Sequence, residues 1–332
     1  MSLGADFLAD HAYEIHNGWE PGIYIGGSYN EQTNNHPERK KKMPSIPMPK
    51  VPARPAPKAP TAPVKKTVSF GKIATKKRGQ YIILAGQGGT GKSTACLMKP
   101  GETAFVNLEG SAEILNGRMQ SIAPERLDHI HVVDFEFTDD PAADYDTLCA
   151  TLEANGYDGM DTIVIDSWTV VQKLMKAYVF AHEQYKGKVC SSTEDYGYST
   201  FPIYAFKHYT RLQNALLSHI RAGRDVVIIA HAVDETIPDA ALNDMKQWQF
   251  DAFMMKSGKE SIRHDMFNAA DQVWFLSNGT LAADKTKKAV AGSRMVYLVG
   301  TGVIWAKSRT YSGDPAVLVP DGESIPWDVL NF

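Results

Sequence analysis

Tyr81-Ile82-Ile83-Leu84-Ala85-Gly86-Gln87-Gly88-Gly89-Thr90-Gly91-Lys92-Ser93-Thr94 is a nearly all-apolar, strand-like run that feeds directly into a G-x-x-x-x-G-K-S loop. Such a run predicts a strand buried on both faces of a sheet. The glycines let the backbone turn tightly and aim successive N–H groups at phosphate oxygens, at the positive end of a helix beginning near Lys92. In this pattern Lys92 reaches the β- and γ-phosphates, Ser93 places its hydroxyl on Mg²⁺, and Thr94 helps to hold the α-phosphate. Gly86, Gln87, Gly88, Gly89, Thr90, Gly91, Lys92, Ser93 and Thr94 form the expected cradle. The bland alternative is a glycine-rich strand-to-helix turn with no ligand.

Working outward, 332 residues with 43% hydrophobic content suffice for one large α/β domain and an appendage. The net charge of -3 is unevenly spread: thirteen Lys or Arg lie between Glu38 and Arg78, against the single acid Glu38. Cys96, Cys149 and Cys190 have neither disulfide-framework nor zinc spacing. No run approaches eighteen apolar residues, and the first turn of sequence, with Asp6, Asp10 and Glu14, lacks a signal-peptide charge pattern. A soluble, cytoplasmic protein with no membrane partner is expected.

Four parts are expected along the chain. Residues 1–35 read as a small accessory element. Residues 36–66 hold nine prolines interleaved with Lys and Arg and read as a basic, extended linker, either merely solvated or an arm for nucleic acid phosphate. Residues 67–314 form the compact domain, and 315–332 an irregular tail able to pack back through Ile325, Trp327, Val329 and Leu330. Within the domain, strands are expected at 80–85, 103–108, 129–137, 161–165, 225–230, 270–276 and 294–305. Helices are expected after Lys92, at 111–119, around 145–152, at 170–185 and at 203–222. Residues 186–200 and 243–264 read as loop or insertion.

One of these strands, Ile163-Val164-Ile165-Asp166-Ser167, places a carboxylate at its carboxyl end, the Walker B pattern. Beside the phosphate loop of a parallel sheet, Asp166 would orient Mg²⁺ through water and pair with Ser93. Ala104-Phe105-Val106-Asn107-Leu108-Glu109 and Ile228-Ile229-Ala230-His231 likewise end in polar residues.

This order of motifs resembles the RecA-like ATPases, in particular the phage single-strand annealing and recombination ATPases of that superfamily, over residues 72–311. The resemblance implies an α/β, RecA-like fold with a mainly parallel central sheet flanked by helices. It also implies ATP with Mg²⁺ as cofactor, single-stranded DNA as partner, assembly into a filament or ring, and the cytoplasm of a bacterial host if phage-encoded. In RecA the second strand ends in a Glu that polarises the attacking water, the place of Glu109 here. The strand after Walker B ends there in a γ-phosphate-sensing Gln, where this chain has His231, which titrates near neutral pH and lacks the amide's paired donor and acceptor. The loops after Glu183 and His231 would face a DNA axis, and Lys307 and Arg309 fall where RecA carries basic residues that reach the neighbouring subunit's nucleotide.

Each assignment has a structural counterpart. Glu109 is also placed to cap the following helix, His231 to be a hydrogen-bonded strand-end histidine, and Lys307 and Arg309 to be a solvated basic edge. His129 and His131 share a strand face at metal-like spacing, without an evident third ligand. Tyr196, Tyr198 and Phe201 are placed either to stack on bases or to pack. Arg118, Arg126 and Asp139-Asp140 form no recognisable constellation. Two functions remain open: a recombination ATPase on single-stranded DNA, and a nucleotide-dependent switch or assembly motor docking protein partners through its Pro-rich arm.

Overall fold

A computed structural model describes residues 78–330 apart from 197–199, 238–243, 254–260 and 282–287. The expected accessory element at 1–35, the linker at 36–66, the domain start at 67 and Tyr198 lie outside the described residues.

β1 (Tyr81–Gly86) is buried at every position, as its apolar run requires. The loop leads into α1 (Lys92–Leu97), which is only six residues long. β2 (Thr103–Asn107), α2 (Ala112–Ile122) and β3 (Ile130–Asp134) follow. α3 (Pro141–Glu153) begins where Asp140 accepts hydrogen bonds from the N–H groups of Ala142 and Ala143 and Pro141 presets the first turn. The Asp139-Asp140 pair therefore does include a helix cap. β4 (Thr162–Asp166) leads into α4 (Trp168–His182), then a small hairpin of β5 (Gln184–Tyr185) and β6 (Lys188–Val189). α5 (Phe201–Arg221) precedes β7 (Asp225–Ile237) and β8 (Met245–Phe250). α6 (Ile262–Ala269) is capped by the Ser261 hydroxyl, and β9 (Gln272–Leu281), β10 (Lys288–Tyr297), β11 (Lys307–Ser308) and β12 (Ala316–Val319) complete the chain.

The strands lie in the order β12-β10-β9-β1-β7-β4-β2-β3, with β11 on β9 and β8 on β7. All pairs from β9 to β3 along this path are parallel, and β10 and β12 add antiparallel strands at one side. This is the RecA-like α/β layout the motifs imply. One face of the sheet, with Ile83, Ile165 and Ile228, packs on α3, α4, α5 and α6. The other, with Ile82, Leu84 and Val164, is covered by α1, α2, Ile325 and Trp327. Each large apolar side chain fully removed from water here contributes about 1.5–3 kcal/mol.

Several boundaries differ from expectation: residues 316–319 of the expected irregular tail form β12 of the main sheet, and Gln184 and Tyr185 of the expected helix form β5. β7 runs past His231 to Ile237 and pairs with β8 as an antiparallel ribbon, Ala232 opposite Phe250 through Ile237 opposite Met245. Its outer half, with the polar run Asp234-Glu235-Thr236, is partly exposed and reads as loop until its partner is known. The stretch 243–264 accordingly contains β8 and the start of α6. Residues 294–305 are not one strand, because the chain leaves β10 at Tyr297 and returns so that the Trp305 ring stacks on Phe267 at 3.9 Å. Among the described residues no helix is long and apolar enough to cross a membrane.

Candidate functional site

Parallel pairing puts the carboxyl ends of β2, β4, β7 and β1 side by side, with Asn107 opposite Asp166 and Gly86 opposite His231. The phosphate-loop strand and the Walker B strand are separated by β7 alone. Every candidate at these strand ends is thereby brought to one edge of the sheet.

The loop itself is tightly folded. The Thr90 hydroxyl donates to the Gln87 carbonyl at 2.9 Å. Gly86 must be glycine because a Cβ there would lie 2.4 Å from the Leu276 carbonyl oxygen of β9. The Lys92 ammonium, with the residue only 6% exposed, donates to the carbonyls of Gly86 at 2.9 Å and Gln87 at 2.7 Å. Burial lowers its pKa, while Asp166 and Glu109 oppose that shift. The charge of Lys92 is thus held inside the loop, flanked by two acids.

Asp166 is 1% exposed. Burial pushes its carboxyl up to about 6, with a further push from the Glu109 charge, against the pull of Ser93, Lys92 and Ser111. Its Oδ2 is buried without a hydrogen-bond partner. A buried orphan carboxylate oxygen is costly, and beside the Ser93 hydroxyl it forms an all-oxygen donor set that fits a hard divalent cation. Among the described residues no group of three or more His, Cys, Asp or Glu is arranged to hold a metal. That is compatible with Mg²⁺, which usually takes one or two protein ligands and completes its shell with water and phosphate.

Glu109 directly follows β2 and Leu108. Its backbone N–H donates to the Asp166 carbonyl at 3.1 Å, and its carboxylate accepts the Ser167 hydroxyl. It does not cap α2: Ser111 is the N-cap residue, with no side-chain cap bond, and the Ser111 N–H goes to Asn107 Oδ1 at 2.9 Å. His231 Nε2 stands 3.9 Å from Glu109 Oε1, and both side chains are partly open to solvent. Glu109, His231, Asp166 and Lys92 therefore converge.

Lys307 and Arg309 are not brought to the loop. They lie beside the amino end of β9, where Lys307 donates to the carbonyls of Phe267 at 2.7 Å and Asn268 at 3.2 Å, and Arg309 pairs with Asp271 at 2.9 Å. Tyr196 and Phe201 are buried, and the Tyr196 hydroxyl donates to the carbonyls of Val179 and Glu183, so packing is their role. His129 and His131 share the Glu102 carboxylate at 2.6 and 2.8 Å, which holds that carboxyl below its usual range. Sequence reasoning missed Ser167, whose partner is 58 positions away, and Arg294, which reaches the loop at Gly91.

A family model described as an AAA domain matches residues 78–310. No curated protein is detectably similar. Among solved structures, the RadB recombinase is similar at 16% identity, covering 67% of this chain and 81% of that one, with a TM-score of 0.35. The flagellar accessory protein FlaH from Methanocaldococcus jannaschii is similar at 10% identity, covering 74% and 86%, with a TM-score of 0.37. A KaiC-like protein from Pyrococcus horikoshii OT3 is similar at 17% identity, covering 73% and 91%, also with a TM-score of 0.37. These global likenesses are low, and the chemistry rests on the geometry of the site.

Proposed function

The chain belongs to the AAA domain family, a family of P-loop ATPases, and from that premise we propose that it hydrolyses ATP with Mg²⁺ at the carboxyl edge of its sheet. The observation that carries this is the convergence of the Lys92 ammonium, the orphan Asp166 Oδ2 and the Glu109 carboxylate around one phosphate loop. Loop N–H groups hold the phosphates, and the Lys92 ammonium offsets the charge that builds on their oxygens. Ser93 and Asp166 would hold Mg²⁺, which would supply further neutralisation of phosphate charge. Glu109 accepts a proton from water as the new O–P bond forms and the bond to the β-phosphate oxygen breaks, releasing ADP and phosphate. Ser167 holds the Glu109 carboxylate in place, and His231, opposite Gly86 in the sheet, is read as a donor to the γ-phosphate.

The work driven is recombination-type chemistry on single-stranded DNA, with the basic Pro-rich arm at 36–66 and the loops after Glu183 and His231 contributing contacts. The second function has a specific observation in its favour. Two of the three candidate stacking aromatics, Tyr196 and Phe201, are core residues. A motor acting on protein partners through the Pro-rich arm needs no stacking aromatics. A trans role for Lys307 and Arg309 in a filament or ring requires release of their present partners in the chain.

Steady-state ATP hydrolysis with and without single-stranded DNA, at low and high salt, tests these readings, with Lys92→Ala as the blank. Lys92→Ala is expected to abolish turnover, and turnover that survives it refutes the site. Stimulation by DNA that fades with salt supports the first function. Lys92-dependent turnover indifferent to DNA supports the second.

A further inference from the structure

Arg294 approaches the phosphate loop from β10, two strands away from β1. Only 6% of the residue is exposed. Its Nη1 points to the Gly91 carbonyl oxygen at 3.4 Å, and its Nη2 donates to the Glu323 carbonyl at 3.1 Å. The same Gly91 oxygen accepts the Ala95 N–H at 2.9 Å. At 3.4 Å the guanidinium contact is long, but its donor is a cation in a shielded place. Gly91 is doubly constrained: its φ is +78°, and a Cβ there would lie 2.9 Å from Nη1.

The consequence follows from peptide geometry. In a planar trans peptide the Gly91 carbonyl and the Lys92 N–H point in opposite directions. Two donors on the carbonyl oxygen therefore fix where the Lys92 N–H points, and that N–H is one of the donors the loop offers to phosphate. The other arm of Arg294 ties this peptide to the segment after β12. There the Trp327 indole N–H donates to the Ala95 carbonyl at 3.0 Å, so the same segment grips α1 one turn further on.

We propose that Arg294 is a positioning residue for the nucleotide, which acts through the Gly91–Lys92 peptide to set the affinity of the phosphate loop for nucleoside di- and triphosphates alike. The proposal rests on the assignment of this loop as the ATP site. Because the contact is to the backbone of the loop and not to a γ-phosphate position, ADP and ATP are affected equally and the chemical step is spared.

The test measures dissociation constants for fluorescent ADP and ATP derivatives, together with kcat and KM, in the wild type, Arg294→Met, Arg294→Lys and Lys92→Ala. Arg294→Met is expected to weaken both nucleotides about tenfold, as loss of one charge-assisted contact implies, with kcat of the wild type. Arg294→Lys recovers part of the affinity, because one ammonium replaces a single arm of the guanidinium. Loss of ATP affinity alone, a fall in kcat at unchanged affinity, or no change in either overturns the proposal. If Arg294→Met fails to fold, Arg294→Lys carries the test by the same criteria. Wild-type protein that binds neither nucleotide, or Lys92→Ala that binds as well as wild type, instead overturns the assignment of the site.

Discussion

At the amino ends of β4, β7 and β9 stand three aspartates, Asp161, Asp225 and Asp271; at the carboxyl ends of β2 and β4 stand Glu109 and Asp166. Asp271 accepts from Arg78, from Arg309 at 2.9 Å and from the Tyr81 N–H at 2.9 Å. Asp225 takes the Lys99 ammonium at 2.8 Å and the Gln80 N–H at 2.8 Å, and Asp161 takes the Glu102 N–H at 2.9 Å. Asp166 keeps an orphan oxygen, and Lys92, a cation that acts on its charge, is turned to the loop's own carbonyls. The same residue types thus stabilise the fold at one end, where partners satisfy them. At the other end they are left able to take a ligand.

The sharpest way to break this comparison is at Glu109. Glu109→Gln keeps the size of the side chain and an acceptor for Ser167 while removing the base. It is expected to lower kcat by roughly 10²–10⁴, the range for loss of a general base, with ATP still bound and the thermal midpoint unchanged. A large fall in stability would make Glu109 a structural acid like those at the amino end. The reciprocal substitution, Asp271→Asn, should act the other way. Losing the charge-assisted bonds from two partly exposed arginines costs about 2 kcal/mol, a drop of roughly 5 °C in Tm for a domain of this size. The turnover of the folded fraction should not change. If turnover falls with stability, the two ends are not separable.

How much of this was legible depends on whether partners share a segment. The phosphate loop is one continuous stretch, and Asp166 announces itself as the acid that ends an apolar run, so fold class and cradle follow from the chain alone. The bond from Ser167 to Glu109 needs the adjacency of β2 and β4, which is a property of the sheet. Arg294 was beyond sequence reasoning for a different reason: its partners are main-chain carbonyls of Gly91 and Glu323, which leave no side-chain signature. The outer half of β7 was missed because Asp234, Glu235 and Thr236 are a continuous polar run that becomes a strand only through β8. Lys307 and Arg309 read in sequence as trans-acting fingers or a solvated basic edge, whereas the carbonyls in the last turn of α6 and the Asp271 carboxylate hold them.

The smallest expected effect bears most directly on the contrast between the ends. The Asp166 carboxyl stands at about 6 in the folded protein against an ordinary 3.8, chiefly through burial. A proton is therefore bound more tightly folded than unfolded, and ionisation costs stability. That cost is absent below the ordinary value, grows as pH rises toward 6, and is fully present above it. Without nucleotide or Mg²⁺, Asp166→Asn should stabilise the protein by about 1 kcal/mol at pH 8, less than the full shift because the amide brings a polar atom of its own. The gain should fade toward pH 4. Adding Mg²⁺ with ADP at pH 8 should reverse the order, because the wild type gains the larger binding energy. An Asp166→Asn midpoint below wild type at pH 8 without ligand would mean that Asp166 is satisfied within the fold, as Asp271 is, and the distinction between the two ends of the sheet would fail at its central residue.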